Sequence, residues 1–458
     1  MNVTRASETF AQRPTSGAHH VPDGVAVVGS HDETLVKPMA SFLAGIPGNL
    51  YRRRRPRSTD GAGGRGAWTV VVTVLDREDP PSGARPTSHR LRGRRRWPRV
   101  VLAVVAVAAL VVGGCVVDAL RAPGADSVAA KLAEWGRGHG FNDEVTWLEK
   151  ELYLRNQPAI GGQPPGGIPM AAGTEPHVAA STALPAVPLP PLGGKEPLPG
   201  EGSWQTVVTV GGRPAVQVAS LRPDGQHTSF VVGVLRMDPT LVRGELRPGT
   251  TDPGGSWRAS SALTSHEVHN VAVAFNGGFR LTDPSHPGYF SQGRTVSRLV
   301  DGEASLVLHA NGTADVGTWN REVRMGPDVA SVRQNLVPLV DDGALNPTCA
   351  SGGPKEWGTT IGQAAFIHRS GFGVTASGVE VYVAGPALSV CTLGNILLDA
   401  GVVRGMELDI NPDWVSGAYF HPQPSGTPES FKLFPAEKVS PRHYLKPSSR
   451  DWFAWFTR

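Results

Sequence analysis

An α+β fold, a mixed and largely antiparallel sheet with flanking helices, is what this sequence predicts for the last part of its 458 residues. Three observations carry that expectation. Beyond Ser203 the texture becomes a series of short β-rich runs at 206–210, 215–221, 229–235, 271–275, 306–309, 373–375 and 379–383. Only 388–400 reads as a helix, and it leads through Gly401 into a strand-like run at 405–410. His309-Ala310-Asn311-Gly312-Thr313 places Asn-Gly between two such runs, the strongest short-range signal for a hairpin. Residues 203–458 therefore read as one domain of about 250 residues.

The chain ahead of that domain divides into four stretches. Residues 1–98 are polar, broken by Pro and Gly and without sustained periodicity apart from a short apolar run at 69–75, and are expected to be disordered. Residues 1–99 carry 17 Lys/Arg against 8 Asp/Glu, whereas residues 100–458 carry 27 against 32, so the formal charge of +4 belongs to the tail. The domain has no basic stripe for a phosphate backbone to follow, and a nucleic-acid partner is not expected. The arginine run at 52–57 reads as a solvated tail on the inner side of a membrane. Translation from a later start is a further possibility.

Arg94-Arg95-Arg96-Trp97-Pro98-Arg99 then precedes the chargeless stretch 100–117, within a predicted span at 99–118. About 18 apolar residues suffice to cross a bilayer as a helix, and cationic flanks stay on the cytoplasmic side. A single-pass membrane protein with a cytoplasmic N-terminus and an extracytoplasmic C-terminal domain follows. Val112-Gly113-Gly114-Cys115 leaves a second processing open, that of a lipoprotein acylated on Cys115. Either route exports the remainder.

After the span, Asp126-Ser127 suits a helix cap, with Val128, Leu132 and Trp135 on one face, and Val145, Leu148 and Leu152 repeat the spacing. A helical hairpin over 126–156 is expected, with Trp135 and Trp147 engaged in core or membrane-surface packing. Residues 157–202, rich in Pro, Gly and Ala, read as a semi-extended spacer holding the domain off the membrane. Cys349 and Cys391 are the two cysteines beyond the span, and an oxidising compartment favours a disulfide between them. Two thiols without neighbouring Cys or paired His do not suggest zinc.

The strongest site signal is Val271-Ala272-Val273-Ala274-Phe275-Asn276-Gly277-Gly278-Phe279, an apolar strand ending in a glycine turn that allows close backbone approach. Tyr289 to Gly293, Arg333-Gln334-Asn335, Arg369 to Gly373 and Glu407-Leu408-Asp409 follow in that order. This succession resembles the phosphodiester glycosidase family, relatives of the lysosomal uncovering enzyme that removes N-acetylglucosamine from a sugar phosphodiester. The resemblance covers most of 271–411. The family's arginine segment is altered here to Arg369-Ser370-Gly371-Phe372-Gly373, and its late acidic segment keeps Asp409 but has Glu407 for asparagine and lacks the glycines and serines. It implies a carbohydrate or sugar-phosphate substrate and no organic cofactor, and leaves a divalent ion open.

The residues support a site on their own account. Glu407 and Asp409, two apart on a predicted strand, would share one face, and paired carboxylates in an apolar run need a cation or donors. Arg369 is the expected cation, giving a catalytic set of Asp409, Glu407 and Arg369; a purely structural Arg–carboxylate pair is the other reading. Glycoside hydrolysis needs stabilisation of an oxocarbenium-like centre and a proton-handling group. A phosphate leaving group needs cationic stabilisation more than protonation, and Arg369 or Arg333 suits that role. Asn276, Gly277, Gly278, Arg333, Asp283 and Tyr289 are expected to bind substrate, with Trp414 stacking on a sugar. Of His266, His269, His286 and His368, only His368 adjoins the motif. A glycan-binding or structural envelope module of the same fold, without turnover, is the alternative.

Overall fold

The computed structural model describes residues 97–122, 126–174, 184, 187–192, 196–421, 423 and 426–458. The basic tail expected over 1–98 thus lies outside the described residues, except for the first two positions of the helix that follows it. That helix, α1, runs from Trp97–Arg121, and its stretch Val100–Arg121 is long and apolar enough to cross a membrane.

Two helices come next. In α2, Val128–Gly138, the Ser127 hydroxyl accepts from the Ala130 amide at 3.1 Å, the cap expected from Asp126-Ser127. In α3, Asn142–Arg155, the inward side carries Val145, Glu149 and Tyr153, while Leu148 and Leu152 are half or more exposed. The apolar spacing therefore does not mark the packed face. Tyr153 wins the inward position because its hydroxyl donates to the Phe366 carbonyl at 3.0 Å.

The described residues of the expected spacer lie on the domain instead of standing clear of it. The Gly161 amide donates to the Gln226 carbonyl at 2.6 Å, the Ala172 amide to the Tyr419 hydroxyl at 3.0 Å, and the Leu189 amide to the Gly202 carbonyl at 2.9 Å. Leu184 and Leu189 are buried in the domain's core. Its apolar side chains find a surface, which Pro/Gly composition alone does not reveal.

The domain holds 18 strands among the described residues, in three antiparallel sheets, so the α+β class stands. The largest has the order β1 (Gln205–Val210), β2 (Arg213–Leu221), β3 (Val232–Met237), β14 (Glu380–Leu388), β13 (Ile367–Thr375), β15 (Val402–Glu407), β11 (Val340–Asp341), β12 (Ala344–Leu345). The second runs β7 (Arg294–Ser297), β6 (Tyr289–Ser291), β10 (Val329–Gln334), β8 (Ala304–His309), β9 (Ala314–Thr318), with the Asn311-Gly312 turn joining the last two. The third runs β17 (Glu429–Lys432), β16 (Gly417–His421), β5 (Val271–Asn276), β18 (Trp452–Thr457), β4 (Val242–Arg247).

Phe275 on β5 joins two of these sheets. Its ring stacks on Tyr382 at 4.1 Å and on Trp455 at 4.7 Å, with Phe372 and Phe453 each 5.7 Å away. Burying such a side chain contributes about 1.5–3 kcal/mol, so this aromatic cluster fixes how β5 and β18 sit against β13 and β14. Helix α4, Val390–Asp399, is capped by Ser389 and packs Leu393, Ile396 and Leu397 on the far face of the large sheet. Cys391 at its start is bonded to Cys349, with Cα atoms 5.0 Å apart.

Candidate functional site

Strand β5 ends at Asn276, whose side chain uses both polar atoms. Its Oδ1 accepts from the Tyr382 hydroxyl at 2.7 Å and the Ser416 amide at 3.1 Å, and its Nδ2 donates to the Gly277 carbonyl at 2.7 Å and Ser370 Oγ at 2.9 Å. Asn276 thus ties β5 to β13, β14 and β16 and has little left for a substrate. A Cβ on Gly277 would stand 2.5 Å from Asp451 Oδ2, and one on Gly278 3.2 Å from Arg333 Cζ. The close approach that these glycines allow is to the protein's own ion pair.

That pair is sealed. Arg333 donates from Nε to Asp451 Oδ2 at 2.8 Å and from Nη2 to the Phe279 carbonyl, and neither side chain reaches solvent. Tyr289, against the same guanidinium, is fully buried, and burial pushes its phenol up. Arg333 and Tyr289 therefore brace the turn from within and do not line a pocket.

Arg369 and Glu407 are also sealed. Arg369 Nη1 donates to Glu407 Oε1 at 2.5 Å and its Nε to the Leu388 carbonyl at 3.1 Å, with 3% and 0% of the two side chains exposed. Burial holds the Glu407 carboxyl above its ordinary range despite the arginine. The expectation that these two residues share a catalytic face with Asp409 fails for a geometric reason. Strand β15 ends at Glu407, after which Leu408 and Asp409 both stand opposite Ser370 of β13 (Leu408 amide to Ser370 carbonyl and Ser370 amide to Asp409 carbonyl, each 2.8 Å), so the register slips by one residue, and Asp409 Oδ1 accepts from the amides of Ile410 at 2.7 Å and Asn411 at 2.9 Å.

The Asp409 side chain instead lines an open cavity of about 420 Å³, with Phe279, Arg280, Asp283, Asn411, Trp414 and Arg450 among its walls. Arg450 Nη2 stands 3.1 Å from Asp409 Oδ2 and donates to the Gly278 carbonyl at 2.7 Å, while its guanidinium lies 4.8 Å from the Trp414 ring centre. Burial raises the Asp409 carboxyl; Arg450 and the two amides oppose that rise. Arg280, directly after the glycine turn, is lowered to about 10 by burial and by its neighbour Arg450. Three guanidiniums, of Arg137, Arg280 and Arg450, and four carboxylates, of Glu134, Glu149, Asp283 and Asp409, thus line one cavity, with the aromatic surface of Phe279 and Trp414 beside them; its Arg280 and Arg450 are the groups that suit a phosphate, and its aromatic rings those that suit a sugar.

The opposite wall comes from the helical hairpin. Glu134 of α2 pairs with Arg280, and Arg137, Asn142, Thr146 and Glu149 also line the cavity. Asp283 also stands in the wall, its Oδ1 taken by the amide and hydroxyl of Ser285. His368 lines a neighbouring cavity of about 390 Å³, its imidazole lowered to about 4 by burial. Among the described residues, no three His, Cys, Asp or Glu side chains converge as metal ligands.

Arg450 and Arg280 were not among the expected site residues. Arg280 is the next residue after the glycine motif, and Arg450-Asp451 stands immediately before the aromatic run of β18, so each had a local sequence signal. Asp451, partner of Arg333, comes from the same dipeptide.

The sequence matches no protein-family model and no curated protein. Among solved structures, the zebrafish N-acetylglucosamine-1-phosphodiester alpha-N-acetylglucosaminidase catalytic domain, auto-inhibited by its pro-peptide, is 14% identical, with a TM-score of 0.34 over 55% of this chain and 87% of that one. A hypothetical protein from Synechocystis is 14% identical at a TM-score of 0.28, over 56% of this chain and 62% of that one. At these scores the likeness is distant and carries no argument about the site.

Proposed function

We propose that this chain is an exported, membrane-anchored glycosidase that hydrolyses a sugar phosphodiester. The observation that carries the reading is the Asp409 carboxylate between Arg450 and the cavity shared with Arg280, beside Trp414 and Phe279. In the reaction the anomeric carbon–oxygen bond breaks, its electron pair leaves on the phosphate monoester, and a water oxygen bonds to the carbon. Asp409 stabilises the positive charge developing on the sugar. Arg280 and Arg450 offset the charge gathering on the leaving phosphate, whose weak basicity reduces the need for a general acid. The water's proton passes to solvent or to the phosphate.

The Cys349–Cys391 bond supports an oxidising compartment for the domain, and the arginines before α1 support a cytoplasmic N-terminus. A glycan-binding module without turnover is the second reading, favoured by one observation: both Asp409 oxygens are already engaged, one by two amides and one by Arg450. The test is to incubate the full chain with methyl phosphodiesters of glucose and N-acetylglucosamine and follow methyl phosphate release. Release supports the hydrolase; binding of both compounds without release supports the second reading.

A further inference from the structure

Short connections join the cavity to the helix that is apolar enough to cross a membrane. The described part of α1 ends at Arg121 and α2 begins at Val128. Trp135 Nε1 donates to Asp118 Oδ2 at 2.8 Å and Lys131 Nζ to the Ala122 carbonyl at 2.7 Å, fixing α2 against the end of α1. The residue beside Trp135 is Glu134, whose partner is Arg280 in the cavity. Glu134 and Trp135 are successive residues of α2, so one helix touches both the end of α1 and the Arg280 wall. With α1 across a bilayer, the cavity lies past the end of the apolar core, on the side of a polar layer about 5–8 Å deep.

Two further features agree with that position. The outward side of α3 exposes Trp147 by 64%, Leu148 by 51% and Leu154 by 47%, beyond Phe141 at 47%. Tryptophan with leucine on an outward helix face beside a membrane span fits the interfacial layer, where an indole keeps its ring in apolar surroundings and its N–H wet. The neighbouring cavity of about 390 Å³ shares Glu149, Ile367 and Asn411 with the Asp409 cavity and is walled by Leu152, Phe230 and Phe366. It gives apolar surface continuous with the phosphate site.

We infer that the substrate is a bilayer-resident phosphodiester: a sugar 1-phosphate whose second ester carries a lipid chain, with the head at Asp409, Arg280 and Arg450 and the first carbons against the neighbouring cavity. This rests on the proposed phosphodiester site and on α1 crossing the membrane. The outer leaflet covers Trp147, Leu148 and Leu154. No new bond chemistry is added to the hydrolysis already described.

The test uses the full chain in phosphatidylcholine vesicles. The probes are hexadecyl and methyl 1-phosphodiesters of glucose and N-acetylglucosamine, the first embedded in the vesicles and the second in solution. Binding and turnover are read separately for the wild type and for Trp147→Ser/Leu148→Ser/Leu154→Ser, whose sites are exposed and outside both cavities. The expected result is at least a tenfold loss of hexadecyl-ester binding in the variant, with methyl-ester binding unchanged. Equal binding of the hexadecyl ester by the two proteins, or parallel loss of both esters, overturns the inference. Cleavage of the methyl ester without a difference between the proteins on the hexadecyl ester removes the inference and leaves the hydrolase. Loss of hexadecyl binding in the variant, with neither ester cleaved by the wild type, supports the inference and removes the hydrolase.

Discussion

Two kinds of arginine–carboxylate contact lie side by side at the exits of β5 and β15; all are more than nine-tenths buried, and they differ in whether a cavity reaches them. Arg333–Asp451 and Arg369–Glu407 are closed on all sides, whereas Asp409 with Arg450 faces a cavity that Arg280 also lines. The chemistry of the groups is the same. What separates bracing from site chemistry is whether a ligand reaches the pair, and sequence spacing says nothing about that. Sealed pairs hold the strand ends in place; the Asp409–Arg450 pair lines a cavity.

The difference predicts opposite responses to the same kind of change. Arg333→Met leaves Asp451 charged and buried, which costs about 3–5 kcal/mol of stability, read as a large fall in the unfolding midpoint by denaturant titration. Arg280→Met removes a partly exposed cation and is expected to cost less than about 1 kcal/mol of stability. It should weaken binding of a sugar phosphodiester about 10–100-fold, the equivalent of one charge-assisted contact. Equal stability losses in the two variants would erase the distinction.

Proton linkage sharpens it further. Burial holds the Asp409 carboxyl above its ordinary value and Arg450 pulls it down, so the acid limb of the turnover profile should lie above the ordinary aspartate range. Arg450→Met should move that limb to still higher pH. In the closed core, Glu380 accepts from the Ala314 amide at 2.7 Å and Trp455 Nε1 at 2.6 Å, and burial pushes it up to about 8 from 4.5. A raised carboxyl binds its proton more tightly folded than unfolded. Its stabilisation is complete below 4.5 and is lost as pH rises to about 8. Glu380→Gln should flatten stability over that window, measured by denaturant midpoints at pH 4.5, 6 and 8.

The sheet-rich domain was legible because period-two apolar runs and the Asn311-Gly312 turn are local signals. The long apolar helix α1 was legible because its chargeless run is also a local signal. The aromatic strand Trp452-Phe453-Ala454-Trp455-Phe456, which lies against β5, was overlooked at the chain end although its composition favours a strand. At the site, Asp409 and Asp283 line the cavity, but Glu407 and Arg369 do not, because period-two reasoning assumes that the strand continues through Asp409. Arg333, Asn276 and the glycines are near the site in sequence pattern and beneath it in space. Arg450 comes from 41 residues beyond Asp409, and only the pairing of β18 with β5 brings it there.

The most direct test of the site is Asp409→Asn, measured against methyl glycosyl phosphodiesters together with the unfolding midpoint. The open-site account predicts that turnover falls about 10²–10³-fold, that binding stays within about threefold, and that the variant remains folded, because the amide keeps the shape and Oδ1 still accepts from Ile410 and Asn411. Unchanged turnover, or collapse of the fold with no separate loss of activity, would place Asp409 with the sealed pairs and contradict the account.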